Sequence, residues 1–168
     1  MAKINGFELK GIKTFKGHEG EPCQQGNIYY KGKRVGWFSD DSWGGCMDIR
    51  FDSLEIEKLF KETICKYVAA YPNGFTGSFT ILNDKEIFVN YAFSAEDLIS
   101  ELDCLKELEG FAKSFFKGGA KAVTIEYDPK NAVSAARKWL TSVPCNYNPK
   151  DTKLMAVITS LSDFDLEV

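Results

Sequence analysis

The sequence predicts an α+β fold with a mainly antiparallel sheet, and three observations support this. Apolar and polar side chains alternate over much of residues 2–51, as is typical of strands with one buried face. Helical periodicity begins only near residue 52, so several strands precede the first helix instead of alternating with helices. Short turns rich in Gly, Asn and Lys join neighbouring strand segments, which favours hairpins. The expected order is β-β-β(β)-α followed by β-β-α-β-α-β, with three helices.

The first half is expected to supply three or four antiparallel strands. The segment "AKINGFELKGIKTFKG" reads as one strand or a bent pair of strands, because Ile, Phe and Leu alternate with Lys and Glu. The polar, glycine-rich "GHEGEPCQQG" that follows is interpreted as a loop. A hairpin then joins "NIYY" to "RVGWF" through "KGK", and the turn "SDDSWGG" leads to a further strand, "CMDIRF".

Two helices have clear start and stop signals. The first spans about residues 52–71, with Asp52 or Ser53 as its N-cap and an Asn-Gly turn after Pro72. Its apolar face is predicted to carry Leu54, Leu59, Ile64 or Cys65, and Val68. The second spans about residues 94–117, between the capping pair Ser94 and Asp97 and the stop signal Gly118–Gly119.

The second half is completed by further strands and a third helix. The hairpin "FTGSFTIL"/"IFVNYAF" precedes the second helix, and the strand "AKAVTIEY" follows it. The segment "KNAVSAARKWLTS" is expected to form the third helix, because Asp128-Pro129 is a good helix start. A last strand, "KLMAVITSL", precedes an acidic tail. We expect two halves, residues 1–72 and 73–168, with a seam near 70–77, although one compact domain remains an alternative.

Composition narrows the class of protein. There is no run of 18 apolar residues and no apolar segment near the N-terminus, so we expect a cytoplasmic protein without a membrane span. The five cysteines are odd in number and lack C-x-x-C spacing, so no structural zinc and no other cofactor is expected. A net charge of −3, with 21 basic and 24 acidic residues, argues against a generic nucleic-acid binder.

The catalytic candidates are sparse, so we do not expect an enzyme. Asp40 and Asp41 are paired carboxylates, but neighbours on an extended chain point to opposite faces and seldom meet one ligand. His18 and Cys23 share one loop, whereas nucleophile and base usually come from separate segments. Nucleotide-binding glycine motifs and hydrolase elbows are absent. A small thiol or metal-dependent hydrolase stays the third alternative.

Surface recognition remains, centred on the hairpin. Tyr, Trp and Arg are the residue types that most often anchor protein interfaces. The candidate interaction residues are Tyr29, Lys31, Lys33, Arg34, Trp37, Asp40, Asp41 and Trp43. The same mixture of aromatic and basic side chains can stack single-stranded nucleic acid, which makes a nucleotide or nucleic-acid binder the second alternative. The tail acids Asp163, Asp165 and Glu167 either imitate a phosphate backbone or belong to a frayed terminus.

The hairpin also carries a resemblance. "YYKGKRVGWFSDDSWGG", with a Gly-Lys turn, a Val-Gly strand, an Asp-rich turn and a Gly-Gly pair, is similar to small proteins of phages and mobile elements. The resemblance covers residues 4–51 and contains no catalytic signature. Such proteins include anti-CRISPR inhibitors, which bind an effector nuclease and block its nucleic-acid path. The resemblance therefore implies a non-enzymatic inhibitor whose partner is a CRISPR effector nuclease or its guide complex, and it assigns no role to any residue.

Overall fold

A computed structural model describes residues 1–41, 45–70, 78–82, 85–89, 94–127 and 154–168, and its fold is α+β with mainly antiparallel sheet. Six strands form one sheet in the spatial order β10-β1-β2-β3-β4-β5. Their bounds are β1 Lys3–Ile4, β2 Phe7–Lys16, β3 Pro22–Tyr30, β4 Lys33–Asp40, β5 Asp48–Phe51 and β10 Asp165–Leu166. Neighbouring strands of this sheet are antiparallel except β1 and β10, which are parallel. The predicted coarse fold class is thus confirmed.

Tight turns set the register of the first strands. Asn5 and Gly6, with φ of 47° and 79°, turn the chain from β1 into β2. Lys31 and Gly32, with φ of 47° and 82°, do the same between β3 and β4. A two-residue hairpin turn with positive φ at both positions matches the right-handed twist of its strands, and glycine adopts that conformation without steric cost. The predicted hairpin and the predicted bent strand pair are both present.

Strand β3 begins five residues earlier than the sequence indicates. The loop assignment for "GHEGEPCQQG" is wrong from Pro22 onward, because these residues pair with β2 on one side and β4 on the other. Gly26 is the reason that the pattern misleads. It occupies an inward-facing strand position without a side chain, and a Cβ there would lie 2.6 Å from the Phe38 ring. The glycine makes room for that ring and does not mark a turn.

Helix α1 spans Leu54–Ala70, and Ser53 caps it by accepting a hydrogen bond from the Ile56 amide at 3.3 Å. The predicted buried face is wrong at its start. Leu54 is 83% exposed and Leu59 is 37% exposed. The buried residues are Phe60, Thr63, Tyr67 and Val68. The aromatic residues bury more apolar area than the leucines do, so the helix faces the sheet along their side.

Helix α2, Ala95–Lys117, begins as predicted. The Ser94 hydroxyl accepts from the Asp97 amide, and the Asp97 carboxylate accepts from the Ser94 amide at 2.6 Å. The buried side chains of α2 follow helical spacing: Leu98, Ile99, Glu101, Leu102, Leu105 and Ala112. Neither helix of the described segments has the length and apolar character needed to cross a membrane.

The remaining elements pair locally, apart from the tail. Strands β6 Ser78–Leu82 and β7 Lys85–Val89 form one antiparallel pair, and β8 Val123–Tyr127 and β9 Leu154–Ile158 form another. The third predicted helix, residues 130–142, lies outside the described residues. A 3₁₀ turn, Leu161–Phe164, leads into β10, which pairs with β1. The acidic tail is therefore part of the main sheet and is not frayed, with Phe164 fully buried.

One face of the six-stranded sheet is covered by the helices, and we call it the inner face. Its buried residues on β2–β4 include Phe7, Leu9, Ile28 and Phe38. They share a core with buried residues of α1 and α2, of which Phe60 contacts Phe7 with ring centroids 5.0 Å apart. Both α2 and β10 come from residues 73–168, so this core is built from both predicted halves. The predicted seam near residues 70–77 lies largely outside the described residues.

Candidate functional site

The opposite side of the same strands, the outer face, carries polar and aromatic side chains. Side chains alternate along a strand, so Trp37 points away from the buried Phe38. Directly paired residues of neighbouring strands share a face, and Trp37 pairs with Asn27 on β3 and Arg50 on β5. Lys10 on β2 pairs with Asn27 in turn. Trp37 keeps 36% of its surface exposed, so the outer face presents a large aromatic side chain to solvent.

Two cations of the outer face lie beside a carboxylate of the chain. Lys10 Nζ is 3.0 Å from Glu8 Oε1, and it also lies 4.5 Å from the centre of the Tyr29 ring. Arg50 Nε is 2.8 Å from Asp48 Oδ1. Lys10 and Arg50 therefore each have a carboxylate partner within the chain.

A depression of about 270 Å³ lies in the outer face. Its described lining residues are Lys13, Gln25, Asn27, Arg34 and Trp37, together with Gly11, Gly26 and Phe38. The register of β2 and β3 shifts between Lys10 and Lys13, at the irregularity that contains Gly11. Such a bulge disrupts the strand ladder locally and re-aims the side chains beside it. The depression therefore lies beside the bulge that contains Gly11.

Arg34 is held at the wall of this depression. Its Nε donates to Asn27 Oδ1 at 2.9 Å, and its Nη1 lies 3.9 Å from Asp52 Oδ2. The first contact fixes the guanidinium across β3 and β4, and the second is long for a charge-assisted hydrogen bond. Lys13 has no carboxylate partner among the residues that the structure describes. The two cations of the depression are thus the least neutralised ones on the outer face.

The structure brings only part of the predicted interaction set together. Tyr29, Arg34 and Trp37 share the outer face. Lys31 and Lys33 are exposed at the hairpin tip, where Lys31 Nζ lies 5.2 Å from the centre of the Tyr30 ring. Lys31 instead lines a second cavity of about 270 Å³ beside α1.

The predicted aspartates lie at the far end of the same strand. Asp40 is the last residue of β4 and Asp41 follows it, roughly 23 Å from Lys33 at a strand rise of about 3.3 Å per residue. They therefore cannot contact one small ligand together with Lys31 or Lys33. Trp43, the remaining predicted residue, lies outside the described residues.

The geometry around the catalytic candidates is that of a structural thiol. Cys23 is 2% exposed, and its Sγ donates to the backbone carbonyls of Asp41 at 3.3 Å and Glu21 at 3.8 Å. A nucleophilic cysteine needs an electropositive and partly exposed environment, which a buried thiol facing two carbonyls does not have. His18 is exposed on the β2–β3 loop. In the described segments, no three His, Cys, Asp or Glu residues are grouped so as to hold a metal ion.

Two carboxylates of the tail are occupied by contacts within the chain. Asp163 Oδ2 accepts from the Thr159 and Ser160 amides at 3.0 and 3.1 Å and so caps the 3₁₀ turn. Asp165 Oδ2 lies 3.5 Å from Lys3 Nζ. Glu167 is exposed at the end of the strip. The tail therefore offers fewer free charges to a basic groove than its sequence indicates.

Sequence reasoning missed Lys13, Gln25 and Asn27, the residues that complete the depression. One sequence signal could have placed Gln25 and Asn27 on the outer face. Gln25, Asn27 and Tyr29 occupy every second position of β3, so their side chains share one face of the strand. Gly26 between them concealed it, because a glycine in a polar segment is typical of a loop. The place of Lys13 in the depression could not be predicted from nearby residues, since it depends on the pairing of β2 with β3 across the bulge.

Comparisons of the chain with protein families, with curated proteins and with solved structures find no match.

Proposed function

We propose that the protein is a non-enzymatic binding protein that recognises a protein partner through the outer face of β2–β4. The observation that carries this proposal is the depression walled by Trp37, Arg34 and Lys13 on an otherwise charge-balanced sheet face. Trp and Arg in a desolvated pocket are the residue types that dominate interface energies, and a ring of weakly contributing polar groups around them excludes water. The paired charges around the depression fit the polar rim of such an interface.

In its concrete form, the proposal is an anti-CRISPR-type inhibitor that binds a CRISPR effector nuclease or its guide complex. This identity of the partner comes from the resemblance of residues 4–51. In this form, the outer face anchors the inhibitor while the bulk of the chain obstructs the path of the nucleic acid. The acidic tail contributes less than its sequence indicates, because Asp163 and Asp165 already have partners.

The second candidate is a binder of nucleotide or single-stranded nucleic acid. Trp37 beside Arg34 and Lys13 favours it, because bases stack on aromatic side chains and cations contact phosphates. This candidate ranks below a protein-binding function. The phosphate backbone of a nucleic-acid strand needs a row of free cations, whereas Lys10 and Arg50 lie beside Glu8 and Asp48.

The test is a cleavage assay with purified effector nuclease–guide complexes and a labelled target DNA. The wild-type protein is expected to slow cleavage by one class of complex and to co-elute with it. Trp37→Thr keeps a residue type that strands favour and should weaken the inhibition by about 30-fold, which corresponds to about 2 kcal/mol of binding free energy. Phe111→Ala is the matched control, since Phe111 is a 49%-exposed aromatic on α2.

The outcomes separate the candidates. Inhibition that is weakened by Trp37→Thr and not by Phe111→Ala supports the proposal. Inhibition that both variants retain in full assigns the interface to another surface. No inhibition of any nuclease, with saturable binding of a short single-stranded oligonucleotide that quenches Trp fluorescence, favours the second candidate.

A further inference from the structure

The charge inside the depression differs from that of the face around it. Among the described residues that line it, Lys13 and Arg34 are charged and both are cations, and none carries a carboxylate. Asp52 approaches Arg34 only at the rim, at 3.9 Å, and both side chains are about half exposed. A solvent-exposed ion pair at this distance is weak and exchanges readily. The described lining of the depression is therefore electropositive, whereas Lys10 and Arg50 nearby lie beside carboxylates.

One donor of the site, Arg34, has a contact that orients it. The hydrogen bond from Arg34 Nε to Asn27 Oδ1 holds the guanidinium in place, so binding an anion requires little further ordering of that side chain. Gln25 is exposed at the same site and adds an amide. Trp37 supplies an apolar wall against which the methylene groups of an inserted side chain can pack. The combination suits a short anionic group on an apolar stem.

We infer that the depression receives an aspartate or glutamate side chain of the protein partner, with Lys13 and Arg34 contacting its carboxylate. This inference rests on the proposed function and names the chemistry of its central contact. We assign the occupant to an acidic protein segment because the positive charge that would attract an anion is confined to one small site. A carboxylate brings one negative charge to that site, whereas a nucleic-acid strand brings a charge every few ångströms to a surface on which Lys10 and Arg50 already have partners.

The inference has a direct test that does not depend on the identity of the partner. The probe is a capped five-residue peptide with glutamate at its centre, Ac-Gly-Leu-Glu-Leu-Gly-NH₂, and its control replaces that glutamate with glutamine. In NMR titrations of the full chain, the Arg34 Nε–H and Trp37 Nε1–H resonances should shift in a saturable way with the glutamate peptide. The glutamine peptide should bind at least about tenfold more weakly, because it lacks the charge.

Variants assign the effect to the two cations. Lys13→Gln and Arg34→Gln should each reduce the affinity for the glutamate peptide by about tenfold or more. Lys58→Gln, which removes an exposed lysine from α1, should leave it unchanged. Raising the salt concentration should weaken binding, as screening requires for an exposed charge contact. Equal affinity for the two peptides, or no saturable shift at either resonance, overturns the inference.

Two further measurements separate this inference from the proposed function. Titration with inorganic phosphate and with a short single-stranded DNA tests the other anion sources, and either binding more tightly than the glutamate peptide contradicts an acidic protein segment as the occupant. In the nuclease assay, inhibition that is lost in Trp37→Thr but kept in Lys13→Gln and Arg34→Gln refutes the carboxylate contact while leaving the proposed function intact. Saturable binding of the glutamate peptide without inhibition of any nuclease supports the site and refutes the nuclease as its target.

Discussion

The two faces of the main sheet differ in what their side chains do, although the same strands supply both. Phe38 and Trp37 are neighbours on β4, yet Phe38 is fully buried against the core and Trp37 is 36% exposed. The inner face is apolar and continuous with α1 and α2. The outer face combines ion pairs, aromatic rings and a depression. Inner-face residues therefore build the core, whereas outer-face residues form the surface to which we assign recognition.

The two faces also differ in the role of the glycine found at each. Gly26 points to the inner face, where the Phe38 ring fills the space that its side chain would take. Gly11, with φ of 62°, belongs to the bulge that opens the outer face, and glycine adopts that backbone conformation without strain. One glycine therefore serves close packing and the other serves the shape of the depression.

The largest effect is expected from Phe38→Ala. Removing a fully buried ring from the inner face leaves a cavity and should reduce the free energy of unfolding by about 3–5 kcal/mol. Urea denaturation followed by circular dichroism measures this change. A loss below about 1 kcal/mol would show that the inner face is not the packed side of the sheet.

A smaller loss is expected from Gly26→Ala, because the added Cβ would lie 2.6 Å from Phe38 Cε1. Overpacking of this kind costs about 1–3 kcal/mol. Combining it with Phe38→Leu should cost less than the sum of the two single changes, since the smaller side chain vacates the contested space. Gly45→Ala is the control, because no atom of the described residues beyond its chain neighbours lies within 4 Å of its added Cβ. Strict additivity in the double-mutant cycle would refute the contact.

Lys106→Met tests the attachment of α2 to the inner face. Lys106 Nζ donates to the Leu9 carbonyl at 2.8 Å, and methionine keeps most of the stem while removing the donor. We expect a loss of about 1–2 kcal/mol in unfolding free energy. Lys113→Met, at an exposed position of the same helix, should change stability by less than about 0.5 kcal/mol. Equal effects of the two variants would show that the Leu9 contact does not stabilise the fold.

The smallest effect on stability is expected from Trp37→Thr on the outer face. Threonine retains strand propensity, so the variant loses only cross-strand side-chain contacts worth about 0.2–1 kcal/mol. The same denaturation experiment measures it. A loss comparable to that of Phe38→Ala would make Trp37 a core residue and would remove the contrast between the faces.

Local signals predicted the parts of the fold that depend on a few neighbouring residues. The capping pair Ser94 and Asp97 placed the start of α2 correctly, and the Lys-Gly turn placed the β3–β4 hairpin. The buried side of α1 was not predictable in this way, because it depends on how Phe60 meets Phe7 and Phe51 from distant strands.

Only part of the candidate site could be predicted from the sequence, because local patterns do not specify how distant strands pair. Arg34 and Trp37 stand out by residue type on a single hairpin. Lys13 joins them only through the β2–β3 pairing and its bulge, which no pattern within one segment specifies. The ion pairs that neutralise the rest of the outer face likewise depend on how the strands and their side chains are placed.

We propose that the outer face serves binding and the inner face serves folding, and a pair of measurements on Trp37→Thr can separate these two roles. Its unfolding free energy and its inhibition of the effector nuclease–guide complex are determined side by side with the wild-type protein. We expect an unfolding free energy within about 1 kcal/mol of the wild-type value together with an inhibition weakened by about 30-fold. Full inhibition by the variant, or a loss of inhibition that merely follows unfolding, would contradict the claim.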